Sequence, residues 1–176
     1  MSTKVVTGKV RGSYVNVFRP RVNDMNGKEE YSMSLLIPKT DEQTVGKINA
    51  AVKEAARKKF GDKIPAKFRH PLRDGDEEKP EDDAYRGHFF INVKSQQKPG
   101  IIDKDRQEVI DSNAFLSGDY CRVSMNAYAY DVSGNRGCAF GLGNIQVISK
   151  GEPLTSQARA EDDFDDWEDD EPFDFG

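Results

Sequence analysis

Asp119-Tyr120-Cys121-Arg122-Val123-Ser124-Met125-Asn126-Ala127-Tyr128-Ala129-Tyr130 alternates in polarity along its length. Cys121, Val123, Met125, Ala127 and Ala129 mark one face; Tyr120, Arg122, Ser124, Asn126, Tyr128 and Tyr130 mark the other. A period of two predicts a half-buried strand. Asp131-Val-Ser-Gly-Asn-Arg-Gly137 reads as a turn, and Cys138 to Ile148 as the last strand, with Gly141 and Gly143 pointing to a bulge or a barrel corner.

Upstream, residues 4–18 read as one long or bent strand broken near Gly12, and residues 19–30 as a turn-rich loop. Tyr31 to Ile37 predicts a second strand closed by Pro38. Thr40 with Gln43 makes a capping box. Val45, Ile48, Val52, Ala55 and Ala56 then follow at helical spacing towards Gly61, which predicts one helix over about 41–60. Residues 62–84 lack periodicity and read as a long mobile loop. Gly87 to Ser95 alternates again, and Gly100 to Asp103 with Gln107 to Ile110 reads as a hairpin around Lys104-Asp105. Many strands, one helix and no βαβ alternation predict a mainly β fold. The expected form is a five- to six-stranded antiparallel barrel of the oligonucleotide/oligosaccharide-binding (OB) type over residues 1–150. A linker and a disordered acidic tail are expected over 151–176.

Charge sharpens this division. The chain has 176 residues and a net charge of −5. Residues 161–176 hold ten carboxylates and no Lys or Arg, so the first 160 residues carry +5 and the tail −10. The excess is concentrated early: residues 1–73 hold 16 basic against 7 acidic side chains. A basic body on an acidic tether points to a polyanion or a charged partner. Mean hydropathy is −0.77, and no apolar run approaches the ~18 residues of a membrane helix. The start of the chain lacks the apolar stretch of a secretory signal. Cys121 and Cys138 form no CxxC motif, which fits a reducing compartment.

The polar face of the long strand offers rings and a cation, as unpaired bases and their phosphates require. Tyr120, Tyr128 and Tyr130 are candidate stacking faces with Tyr31 and Phe90; Arg122, Lys94, Arg136, Arg19, Arg21, Lys28 and Arg73 are candidate phosphate contacts. The competing reading is a barrel wall that merely meets water. Alternation alone leaves open which face lines a groove. In the tail, Phe164, Trp167, Phe173 and Phe175 are interleaved with the carboxylates, an imitation of a nucleic acid that can occupy the basic groove or dock on a partner.

The residues offer little for catalysis. His70 and His88 are isolated, and no pair of Cys or His has zinc-finger spacing. Asp74-Gly-Asp-Glu-Glu78 lacks the ordered ligands of a calcium loop. Asp103, Asp105 and Glu108 read as a hairpin tip rather than a two-metal nuclease site. Gly141-Leu-Gly-Asn144 lacks the third glycine of a dinucleotide fingerprint. No enzyme activity, cofactor or metal is expected.

The sequence resembles the phage-encoded single-stranded DNA-binding proteins with an OB fold and an acidic tail. The resemblance is carried, in order, by Tyr31-Ser-Met-Ser-Leu-Leu-Ile-Pro-Lys-Thr-Asp41, His70-Pro-Leu-Arg-Asp-Gly-Asp76, Leu116 to Asp131, Gly137 to Gln146, and the tail Asp165-Asp-Trp-Glu-Asp-Asp170 with Phe173-Asp-Phe175. Gly176 follows Phe175, where related tails often end on an aromatic residue. The resemblance implies sequence-tolerant binding of single-stranded DNA without catalysis, in support of replication, recombination and repair. It implies a location in the cytoplasm of the infected bacterial host. It also implies tail contacts with DNA polymerase and helicase-primase, competition between tail and DNA, and homodimers involving the tail. The reading from another class is an adaptor of the replication machinery whose tail is the active element and whose barrel presents it.

Overall fold

The computed structural model of the protein describes residues 2–154. The tail and its four aromatic residues Phe164, Trp167, Phe173 and Phe175 lie outside the described residues.

Five long strands form the barrel: β2 (Val10–Val22), β3 (Glu29–Pro38), β5 (His88–Ser95), β7 (Tyr120–Val132) and β8 (Asn135–Ser149). Three short strands, β1 (Lys4–Val6), β4 (Arg73–Asp74) and β6 (Ile101–Ile102), extend it. The sheet runs β1-β7-β2-β3-β5-β8-β6, and pairing of β7 with β8 closes it. The expected count of five to six strands thus corresponds to the closed ring, with eight strands in all among the described residues. One expectation is corrected: the closure is not wholly antiparallel. β5 meets β8 in parallel, Val93 against Phe140 and Lys94 against Gly141, because the chain crosses the barrel between them by way of β6 and β7. A five-stranded ring with such a junction is OB-type geometry.

The long strand bears out its alternation. Cys121, Val123, Met125 and Ala127 are all buried, and they meet Leu35, Ile91, Met33 and Val93 in one core. Leu142 and Ile145 reach the same core although three residues apart, because Met125 pairs with Leu142 and Val123 with Ile145. The extra residue is a bulge at Gly143-Asn144. A Cβ on Gly143 would stand 2.7 Å from the Ser124 carbonyl oxygen, so only glycine fits there. Cys121 and Cys138 are buried free thiols, pushed up by burial to about 12 and about 11.

Helix α1 (Glu42–Phe60) closes one end of the barrel with Ile48, Ala51, Val52 and Ala55. Its cap is Asp41 rather than Thr40: the Asp41 carboxylate accepts from the Thr44 N–H at 3.1 Å and the Thr44 hydroxyl at 2.6 Å. The Thr44 hydroxyl oxygen accepts in turn from the Gly8 N–H at 2.9 Å, which ties the helix to the turn between β1 and β2. That turn, not Gly12, breaks the first strand. The loop expected over 19–30 shrinks to the tip Asn23–Lys28, because β2 and β3 continue outward as a hairpin.

The loop expected over 62–84 is also corrected in part. β4, the single turn α2 (Gly75–Glu78) and a 3₁₀ turn at Asp83–Tyr85 fold onto β5. Tyr85 is the anchor, 2% exposed and edge-on to Phe90 at 5.2 Å. The acidic run works locally. Asp74 and Asp82 cap the two turns, and Lys39 pairs with Asp74 at 2.7 Å and Asp76 at 2.8 Å. Among the described residues no helix is long and apolar enough to cross a membrane.

Candidate nucleic-acid interface

The outward face of β2, β3 and β5 follows from the register. Met33, Leu35, Ile91 and Val93 point into the core, so Ser32, Ser34, Asn92 and Lys94 point out. Beyond the Tyr85–Phe90 cover, this face opens into a cleft of about 490 Å³. Its floor is polar: Ser32, Ser34 and Asn92, with Asn16 from β2, and the Ser34 hydroxyl donates to the Asn92 side-chain oxygen. Its walls carry Arg21, Arg73, Lys79 and Lys94, and its aromatic lining includes Tyr14 and Tyr128.

Of the candidate residues, Arg21, Arg73, Phe90, Lys94 and Tyr128 line this cleft. Arg21 is exposed and makes no ion pair among the described residues. Arg73 donates to both carboxylate oxygens of Glu78, Nε lying 2.9 and 3.0 Å away. Lys94 lies 3.8 Å from Glu30. The Glu30 carboxyl is held below its ordinary value first by the Asn23 amide, which donates to it at 3.2 Å, with Lys94 adding an attractive charge. Tyr128 is 43% exposed, and burial of the rest raises its phenol, with the Cys138, Glu30 and Tyr130 charges acting the same way.

Phe90 requires a correction. It is 3% exposed, wedged between Tyr85 and the Arg73 guanidinium, so its ring is no free stacking face. The other candidates are dispersed. Tyr31 has the strand phase of Met33 and Leu35 and turns away from the cleft. Lys28 stands at the tip of the β2–β3 hairpin. Arg19 lines a separate groove with Val15, Phe18 and Leu116. The Tyr120 ring lies under Lys9 and Arg11, at 4.9 and 5.7 Å, and Arg122 Nε donates to the Thr7 carbonyl at 3.0 Å. Tyr130 lies beside Arg69 and His70, while Arg136 pairs with Asp131 at 3.1 Å. One strand face therefore serves several sites. Over the 13 residues of β7 the neighbours change from β2 to β1 to the free end of the β7–β8 hairpin.

Sequence reasoning missed Tyr14, Lys79, Asn16 and Asn92. Tyr14 is hidden by a second bulge. Ser13 pairs with Ser34 and Asn16 with Ser32, so Tyr14 and Val15 oppose Met33 alone. The bulge shifts the phase of β2, and Tyr14 comes out 61% exposed at φ +48°. The two histidines are occupied locally: the His70 Nδ1 accepts from the Leu72 N–H at 3.1 Å, and the His88 Nδ1 lies 2.8 Å from the Arg86 carbonyl. Among the described residues no group of three His, Cys, Asp or Glu is placed to hold a metal ion.

The family model described as Enterobacter phage Enc34, ssDNA-binding protein, matches residues 3–174. Protein p50 of Acyrthosiphon pisum secondary endosymbiont phage 1 is 27% identical over 174 residues, 93% of each chain. The single-stranded DNA-binding protein from bacteriophage Enc34 in complex with ssDNA superposes with a TM-score of 0.77 at 18% identity, over 87% of this chain and 90% of that one. The bacteriophage T7 single-stranded DNA-binding protein gp2.5 gives 0.63 at 14% identity, over 99% of this chain and 100% of that one.

Proposed function

Since the chain belongs to the family of the Enterobacter phage Enc34 ssDNA-binding protein, we propose that it binds single-stranded DNA in the cleft over β3 and β5. The protein is a binding protein and not an enzyme. The observation that carries the reading is the cleft's composition: a polar floor, cations on the walls, and exposed tyrosine at the rim. Cations attract the phosphate chain regardless of sequence, and rings accept any base face. The floor's hydroxyls and amides can donate or accept, so they impose little choice of base.

The whole chain takes part in this function. Residues 1–150 are the binding domain, and residues 151–176 are a linker and tether. The ten tail carboxylates compete with DNA for the barrel's cations, and Phe164, Trp167, Phe173 and Phe175 contact replication proteins such as the polymerase and helicase-primase. The setting is replication and recombination of phage DNA in the host cytoplasm.

Titration of the full chain with fluorescent oligo-dT across a salt series tests this. Four wall cations predict a log–log salt slope of about −3, at roughly 0.7 per phosphate on a single strand. Truncation after residue 160 is expected to tighten binding. Absence of binding by either form at low salt overturns the DNA reading, and loss of the oligonucleotide with magnesium overturns the non-enzymatic one.

A further inference from the structure

We propose that Tyr14 is a nucleobase-stacking residue, held at the rim of the cleft by the bulge in β2; this rests on the DNA-binding reading. Its backbone is the first clue. Tyr14 sits at φ +48°, a left-handed conformation that side-chain-bearing residues rarely adopt. The other non-glycine residues with positive φ among those described, Lys67, Arg106 and Ser133, occupy turns or bends. Tyr14 alone of the four lies within a strand.

The surroundings hold the strained residue in place. The Asn16 side-chain amide donates to the Tyr14 carbonyl at 3.1 Å, and the Val15 N–H donates to the Ser117 hydroxyl at 3.0 Å. On the other side the Ser13 and Tyr85 hydroxyls are 3.1 Å apart. The ring itself gives the fold little. It is 61% exposed, belongs to neither core cluster, and forms none of the aromatic pairs among the described residues. A large apolar ring held outward by an unfavourable backbone, with no packing in return, is the mark of a site rather than of a core.

Its position supplies the ligand class. Tyr14 is on β2, which pairs with β3, and Tyr128 lies opposite Ala139 of β8, which pairs with β5, so that on the cleft side β3, β5 and β8 separate the two residues. The two rings therefore border the polar floor on opposite sides, with Arg21 and Lys94 available to phosphates. A flat, neutral, sequence-tolerant surface beside cations fits an unpaired base.

Three full-length variants test this against oligo-dT and an abasic sugar-phosphate oligomer of the same length. Tyr14→Gly is expected to keep or raise the thermal midpoint, since glycine accepts φ +48°. It is expected to weaken oligo-dT binding about tenfold while leaving the abasic oligomer within about twofold. Tyr14→Phe is expected to bind as the parent does. Arg21→Ala is expected to weaken both ligands. If Tyr14→Gly folds and binds oligo-dT like the parent while Arg21→Ala does not, stacking by Tyr14 is overturned and the cleft stands. Stacking is equally overturned if Tyr14→Gly weakens both ligands to the same extent. If the parent binds neither ligand, the DNA reading falls and takes this proposal with it.

Discussion

Arg73 stands over the ring of Phe90, its guanidinium carbon 5.2 Å from the ring centroid, and the two residues are direct partners across the β4–β5 ladder. The same guanidinium is held by Glu78. A resident carboxylate thus occupies a cation of the cleft wall, in competition with the phosphate of the proposed ligand. Glu78→Gln is expected to tighten oligo-dT binding by about two- to fivefold at low salt, an advantage that shrinks as salt screens the charges. The pair is solvent-accessible, so its loss is expected to cost about 1 kcal/mol of stability or less. Anisotropy titrations and urea melts of the variant check both effects.

Phe90 is a core residue, packed with Leu36 and Tyr85. Phe90→Ala is expected to destabilise the protein by about 3–5 kcal/mol in urea melts, the cost of emptying a buried aromatic site. Surviving folded protein is expected to retain measurable DNA affinity. A variant with parental stability and abolished binding would make Phe90 a stacking residue after all.

The clasp of Lys39 on Asp74 and Asp76 carries a pH signature. Hydrogen bonding from Lys39 lowers both aspartates, and hydrogen bonding to Asp74 and then Asp76 raises the lysine. The carboxylate contribution is therefore full above the ordinary Asp value of about 3.9 and is lost as pH falls through the depressed values. The lysine contribution is full below about 10.4 and is lost as pH rises through the raised value. Lys39→Met is expected to lower the thermal midpoint at pH 7, and the difference from the parent is expected to shrink as pH falls below the ordinary Asp value and through the depressed range in which these aspartates take up protons. A difference that stays constant from neutral pH down through the aspartate range would exclude the clasp as its source.

Burial pushes the Cys121 and Cys138 thiols up to about 12 and about 11. Thiolate is the reactive form. The native protein at mildly alkaline pH is expected to leave both thiols unmodified by a disulfide reagent over minutes, and to release two equivalents on unfolding in guanidinium. Rapid native labelling of either thiol would place it at the surface.

The sequence made the barrel and its helix visible, since Cys121, Val123, Met125 and Ala127 keep strict phase and all reach the core. The cleft was only partly visible. Tyr120 and Tyr128 share a strand face, yet eight residues of strand span about 26 Å, and on a closed barrel that separates their neighbours. Tyr14 was invisible because strict alternation from Val10 and Gly12 assigns it to the core, and nothing local announces the bulge that turns it out. Phe90 had the right phase for the outer face but is covered by Tyr85, which is brought in by a segment without periodicity. Asp41 took the helix cap from Thr40 because its carboxylate reaches both the amide and the hydroxyl of Thr44.

The cleft, and not the region around Tyr120, is the proposed seat of the DNA. The direct measurement is the affinity of the full chain for labelled oligo-dT in two double variants, Arg21→Ala/Lys94→Ala in the cleft and Lys9→Ala/Arg122→Ala beside Tyr120. The cleft pair is expected to lose about tenfold or more, with a salt slope reduced by about 1.4 for two lost phosphate contacts. The other pair is expected to bind within about twofold of the parent. Full affinity in the cleft pair, with the loss falling on Lys9→Ala/Arg122→Ala, would contradict the account.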